Sequence, residues 1–302
     1  MTAPTGRPRA DDVLRVVVAA LLGGASAMVW RVAGRPRRAG WSLGLEGMVG
    51  ATRGAWSVMP RIGMVRWRRV GEFMSPLRTD GVARRSVQVI GPRASIQATW
   101  LEPTGAGKAI LLYLHGGGFV FGSLRTHGML IGALARAARA RTLAIEYRLA
   151  PEHPAPAALE DAVAAYRHLL AEGTSPGRIV IGGDSAGGNL VLITLLALRD
   201  AGDPLPAAGV AISPWVDLGC SGRSFETNAA FDFVGAVHCR LAATDYLAGM
   251  DPRHPEISPL YADLAGLPPL LVHAGAAEVL VDQVREFATC GGRRRCRYLE
   301  GL

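Results

Sequence analysis

From about Val87 the chain alternates short apolar runs with segments whose apolar positions recur at helical spacing. SVQVIGPRASIQATWLEP (86–103) alternates apolar and polar residues on either side of Gly91-Pro92, which predicts a hairpin. AILLYLH (109–115) is continuously apolar and runs into a glycine cluster, as a strand buried on both faces does. Helical spacing over about Thr126 to Arg139 is followed by a second buried strand, TLAIEY (142–147). PAALEDAVAAYRHLLAE (156–172) opens on a proline, a favoured first-turn residue, and predicts the next helix. RIVIGG (178–183) then reads as a strand and AGGNLVLITLLALRDAG (186–202) as a helix, stopped by Gly202 and Pro204. GVAISPW (209–215) and PLLVHAG (269–275) supply two further strands. Strand and helix in regular alternation define an α/β fold, a mostly parallel sheet with helices on both faces.

Two stretches break the alternation. Residues 35–80 are rich in Trp, Arg and Met, and residues 215–252 separate two strands. Both are expected to be helical and to roof one edge of the sheet. The implied organisation is an N-terminal helical segment or cap over 1–80 and an α/β domain over 81–302, with a cap insertion at about 215–252.

Composition narrows the classes. With 302 residues, 49% of them hydrophobic, the chain can bury one large core. The net charge of +8 comes from scattered arginines, Lys108 being the sole lysine, and no nucleic-acid-binding pattern accompanies it. No nucleic-acid partner is expected. Cys220, Cys239, Cys290 and Cys296 show neither CxxC spacing nor neighbouring ligand histidines, so neither a metal site nor a disulfide framework follows. Gly105-Ala106-Gly107-Lys108 lacks the spacing of a phosphate loop, and no G-x-G-x-x-G follows the first strand. No cofactor is expected.

Val16 to Trp30 is an uncharged, largely apolar run preceded by Arg7, Arg9 and Arg15. It is shorter than the roughly 20 residues of a spanning helix. Ala25-Ser26-Ala27 fits a cleavage site, but Asp11 and Asp12 spoil a positive leader. An amphipathic or buried N-terminal helix in a cytoplasmic protein is the expectation, with membrane association through residues 16–30, or export, as the alternative.

Chemistry concentrates at Gly183-Asp184-Ser185-Ala186-Gly187, a G-x-S-x-G between a buried strand and a helix. So tight a strand-to-helix turn strains the serine and pushes its oxygen above the carboxyl ends of the strands, beside a helix N-terminus. HGGGF (115–119) ends the first buried strand, and amides unshielded by side chains there can converge on one oxygen. Together these define a nucleophile facing an oxyanion hole.

HGGGF, YRLAPEHPAPAALEDAVAAYRHL, GGDSAGGN, SPWVDL and SPLYADLAGLPPLLVHAGAAEVLVD occur in this order, and the chain resembles the hormone-sensitive-lipase family of α/β-hydrolases, bacterial GDXG-type esterases and lipases, over about residues 85–288. The resemblance implies an α/β-hydrolase fold with a helical cap, and a serine carboxylic-ester hydrolase acting on small-molecule esters of short or medium acyl chains through an acyl-enzyme. Carried over by position, it makes Ser185 the nucleophile, gives the oxyanion amides to Gly116, Gly117 and Ala186, and leaves His115 to steady the glycine loop. Glu278, after PLLVHAG, becomes the acid that orients the base, with Asp282 as the fallback; Asp184 lies too close to the serine.

The base is missing. In this fold the histidine follows the acid, yet His115, His127, His153, His168, His238, His254 and His273 all precede Glu278. His238 is the least unsuitable substitute. TCGGRRRCRYLEGL (289–302) shows no clear apolar period; the expectation is a frameshift or premature stop near Thr289, with the final strand and helix missing. Catalysis would then be impaired. The competing reading is a non-catalytic ligand-binding protein on the same fold, or a degraded gene product. Oligomeric state is not legible.

Overall fold

The structure, a computed structural model, describes residues 7–34, 37–38, 40–91, 93, 95–290 and 296–301. The arginines at 35 and 293–295 lie outside them. Eight strands, β1 (Ala83–Ile90), β2 (Ser95–Glu102), β3 (Ile110–Leu114), β4 (Arg141–Ile145), β5 (Ile179–Asp184), β6 (Ala208–Ile212), β7 (Leu270–Gly275) and β8 (Cys296–Gly301), form one sheet. Their order is β1-β2-β4-β3-β5-β6-β7-β8. The β1–β2 hairpin is antiparallel and β2 runs antiparallel to β4, while every pairing from β4 to β8 is parallel. The helices are α1 (Ala10–Val32), α2 (Leu43–Trp56), α3 (Met59–Ile62), α4 (Met64–Met74), α5 (Leu124–Ala138), α6 (Ala157–Ala171), α7 (Ala186–Asp200), α8 (Ser224–Thr227), α9 (Ala236–Leu247) and α10 (Val281–Cys290).

The central strand shows why the sheet is covered on both faces. All five residues of β3 are buried, and successive side chains of a strand point to opposite faces. Leu111 and Tyr113 join Ile131 and Ala135 of α5, whereas Leu112 and Leu114 join the larger core with α6 and α7. Twelve residues of α7 are buried, which an all-round apolar helix requires. Each fully buried Leu, Ile or Val contributes roughly 1.5–3 kcal/mol relative to exposure. α5 begins in a reciprocal cap: Ser123 Oγ accepts from the amides of Arg125 and Thr126, and Thr126 Oγ1 accepts from the amide of Ser123.

One expectation is corrected. The final strand is formed: β8 pairs in parallel with β7 from Leu270 opposite Cys296 to Gly275 opposite Gly301. None of its residues is fully buried, so apolar periodicity could not announce it. Backbone pairing holds it, with an ion pair between Arg285 of α10 and Glu300 at 2.6 Å. No helix follows it among the described residues.

Helices α1–α4 precede the sheet, and α8 and α9 lie in the connection between β6 and β7. These two groups meet over the carboxyl ends of the strands. The Arg53 guanidinium of α2 donates to the Ala229 carbonyl at 2.6 Å and to that of Asp232. Trp56 lies against Trp67, Phe121, Phe233 and His238, with ring centroids 5.5–6.1 Å away. Arg68 of α4, only 4% exposed, donates to the carbonyls of Val120 and Ala150 and pairs with Glu152. It ties the N-terminal helices to the loop after β3.

Candidate active site

β5 ends at Asp184 and α7 starts at Ala186, so Ser185 makes the whole turn, with φ 53° and ψ −119°. Positive φ is costly for a residue with a side chain. The surroundings hold it there: its amide donates to the Ile212 carbonyl at 2.8 Å, and its carbonyl accepts from Trp215 and Asn189. A Cβ at Gly187 would lie 2.1 Å from the Leu114 carbonyl oxygen, so only glycine lets the helix start this close to β3.

Ser185 lines a cavity of about 800 Å³ roofed by Thr52 and Trp56 of α2, Phe233, and His238 of α9. Gly117, Gly118, Ser213 and Glu278 line the same cavity. Ser185 and Glu278, named from the sequence, are therefore brought together at one opening.

The glycine loop departs from expectation. The amide of Gly116 donates to Asp184 Oδ1 at 3.1 Å, and Gly116 does not line the cavity. Its N–H is thus already occupied. The amides of Gly117, Gly118 and Ala186 have no acceptor among the described residues, and Gly117 and Gly118 face the cavity. Gly118 is the residue that sequence reasoning missed; three consecutive glycines were the signal, but not which amides turn inward. His115 lies buried beneath the loop, its Nδ1–H donating to the Gly116 carbonyl at 2.8 Å and its ring stacked on Tyr147 at 4.2 Å. Burial pushes its pKa down to about 3, so it stays neutral.

Asp184 and His127 form a half-buried pair at the cavity wall, 3.4 Å apart. Burial alone would raise the Asp184 carboxyl, but hydrogen bonds from His127 and Tyr113, with the charge of His127, hold it below its ordinary value. Burial likewise lowers His127, yet its hydrogen bond to Asp184 and the carboxylate's charge outweigh this and hold the imidazole above its ordinary value. Thr126 Oγ1 lies within hydrogen-bonding distance of the Ser123 carbonyl at 3.0 Å and of His127 Nδ1 at 2.8 Å. Both ring nitrogens of His127 are therefore engaged by protein groups.

Glu278 follows β7. Its Oε1 accepts from Ser213 Oγ at 2.8 Å, while Oε2 is buried without a hydrogen-bond partner among the described residues. Burial raises its pKa, and the Ser213 bond opposes the rise only in part. The β6–β7 connection holds the loop in place: Asn228 Nδ2 donates to the Glu278 carbonyl at 2.8 Å, and Asp232 Oδ2 accepts from the Val279 amide. The fallback acid, Asp282, is engaged elsewhere, accepting from the Ser224 amide and Arg285.

Only His127 and His238 of the seven histidines line this cavity. The Nδ1 of His238 accepts from the Gly235 amide at 3.0 Å, so its Nε2 carries the proton donated to the Trp56 carbonyl at 3.2 Å. Neither ring has an unengaged nitrogen among the described contacts. His273 lies in β7, its Nε2 toward Gly301, and His115 has no place in the cavity lining.

A serine on a strand-to-helix elbow above a parallel sheet, facing unoccupied amides, defines the hydrolase class of α/β proteins. A family described as alpha/beta hydrolase fold matches residues 111–292. The crystal structure of an esterase from the bacterial hormone-sensitive lipase family superposes with a TM-score of 0.80 at 45% identity, covering 86% of this chain and 88% of that one. Over 189 residues the chain is 53% identical to an acetyl-hydrolase of Streptomyces hygroscopicus, covering 62% of this chain and 63% of the relative. Over 233 residues it is 37% identical to the carboxylic ester hydrolase LipN of Mycobacterium tuberculosis, covering 72% and 62%. The chain belongs to the α/β-hydrolase family, among its bacterial hormone-sensitive-lipase-type esterases. The matched region spans just under two thirds of the length of these two curated relatives.

Proposed function

We propose that the chain is a serine carboxylic-ester hydrolase in architecture, acting on small esters of short or medium acyl chains, with turnover limited because neither described cavity histidine has an unengaged ring nitrogen to serve as base. The observation that carries this reading is the strained Ser185 at a cavity shared with Gly117, Gly118 and Glu278. The helices within 1–80 and the β6–β7 insertion serve as its cap.

Ser185 Oγ attacks the ester carbonyl carbon, the amides of Gly117, Gly118 and Ala186 receive the negative charge that develops on the carbonyl oxygen, and the alkoxide leaves as the acyl–serine bond completes. Water then cleaves the acyl-enzyme. In a complete triad an imidazole takes the serine proton and returns it to the leaving group. Here both ring nitrogens of His127 and of His238 are already engaged by protein groups, so the serine proton passes to solvent. Loss of one triad member typically leaves about 10³–10⁴-fold acceleration over water.

The engagement of every ring nitrogen of the two cavity histidines also favours a second reading, a binding protein that holds esters without turning them over. Hydrolysis of p-nitrophenyl butyrate by the intact chain and by Ser185→Ala separates the two. Slow turnover lost in the variant supports the esterase; saturable binding with equal background rates supports the binding protein.

A further inference from the structure

α1 is bare on one side. Leu14, Val18, Leu21, Leu22, Val29 and Val32 are each 44–80% exposed and, at 100° per residue, fall on one face of the helix. No charged residue interrupts this face between Arg15 and Arg31. The opposite face is committed: Val16 and Ala27 are buried, and a Cβ on Gly54 of α2 would lie 2.0 Å from the Ala19 carbonyl oxygen. α1 and α2 thus pack backbone to backbone as a hairpin. The stripe continues onto α2 at Leu43 and Met48, and 11 of the 22 exposed large hydrophobic residues among those described belong to these two helices.

Charge indicates what covers the face. Arg7, Arg9 and Arg15 stand exposed around the start of α1, on a chain of net charge +8. A stripe of aliphatic side chains beside exposed arginines complements a bilayer with anionic headgroups, into whose acyl boundary such a face sinks. A spanning helix would have to strip away the α2 contact.

We propose that α1 lies in the plane of an anionic lipid surface, with the α1–α2 hairpin as the membrane-docking element. Thr52 and Trp56 of the same hairpin line the cavity with Ser185, so docking places the roof of that cavity at the phase in which apolar esters dissolve. The docking is independent of the acyl-transfer reading; only this consequence rests on it.

The test is co-sedimentation of the full chain with phosphatidylcholine vesicles, with and without phosphatidylglycerol, alongside L21D/V29D and the remote control Ile90→Asp. Residue 90 is 89% exposed. The expected result is partition into the anionic vesicles, weakened at least about tenfold in L21D/V29D and unchanged in the control. Circular dichroism confirms that the double variant folds. Equal partition of wild type and double variant would overturn the proposal. So would resistance of α1 to alkaline extraction and protease, which marks a spanning helix. Dimers lost in the double variant, without vesicle binding, would assign the face to a second copy and overturn it as well. Ester hydrolysis is not part of this readout, so a failed esterase reading leaves the result standing.

Discussion

Ser213 donates a 2.8 Å hydrogen bond to Oε1 of Glu278, and the other oxygen of that carboxylate is buried with no hydrogen-bond partner among the described residues. On the proposed reading Glu278 is the orienting acid, and this oxygen is the one that would face an imidazole N–H. Removing the Ser213 bond is costly. Ser213→Ala is expected to destabilise the fold by about 1–3 kcal/mol at neutral pH. The sign with pH follows from the raised Glu278 pKa: the native state is favoured while the carboxyl is protonated and loses that advantage as pH rises through the folded value. Denaturant melts at pH 4 and pH 8 should therefore show a larger Ser213→Ala effect at pH 8.

The Asp184–His127 pair titrates in the opposite sense at each end. Asp184 is depressed, so its contribution exists above the ordinary carboxylate range and is lost as pH falls through its folded pKa. His127 is raised, so its contribution is complete below the ordinary imidazole value and is lost as pH rises through the folded one. His127→Gln should remove the alkaline decline in melting temperature between pH 6 and pH 9. An unchanged decline would mean that another group carries it.

Gly117 has φ 119°, and a Cβ there would lie 2.1 Å from the Phe121 carbonyl oxygen. Gly117→Ala must move the loop whose amides face the cavity. Ester turnover is expected to fall by about 10²–10³, the usual cost of an oxyanion donor, together with some loss of thermal stability.

Arg68 satisfies the Val120 and Ala150 carbonyls from a buried position. Arg68→Met keeps much of the apolar stem but leaves both acceptors unpaired. A loss of about 2–4 kcal/mol in urea melts is expected, with a decline in any activity that depends on the glycine loop.

On the proposed reading, in which no imidazole protonates the leaving group, the rate should depend steeply on the acidity of the alcohol released. p-Nitrophenyl butyrate should be cleaved at least about 10³-fold faster than ethyl butyrate, a larger contrast than acid-assisted departure permits. Similar rates for the two esters would reveal a proton donor in the cavity.

The strand–helix alternation from Val87 to Gly275 was legible because buried strands and amphipathic helices leave different periods in the sequence. The elbow at Ser185 was legible because strand, serine and helix are contiguous. β8 was not: as an edge strand with no fully buried residue it owes its place to β7. The inward-facing amides of HGGGF were misassigned by one residue, since the contact of Gly116 with Asp184 joins positions 68 apart in the chain. The His127–Asp184 pair was missed for the same reason. Long-range pairing of polar groups leaves no local pattern to read.

The central claim is that Ser185 is a nucleophile waiting for a base beside Glu278. The most direct measurement is p-nitrophenyl butyrate hydrolysis as a function of added imidazole, for the intact chain, Ser185→Ala and Glu278→Gln. A slow basal rate that rises saturably with imidazole in the intact chain, vanishes in Ser185→Ala and responds weakly in Glu278→Gln is predicted. Fast turnover without imidazole, or an imidazole response identical in all three proteins, would contradict the account.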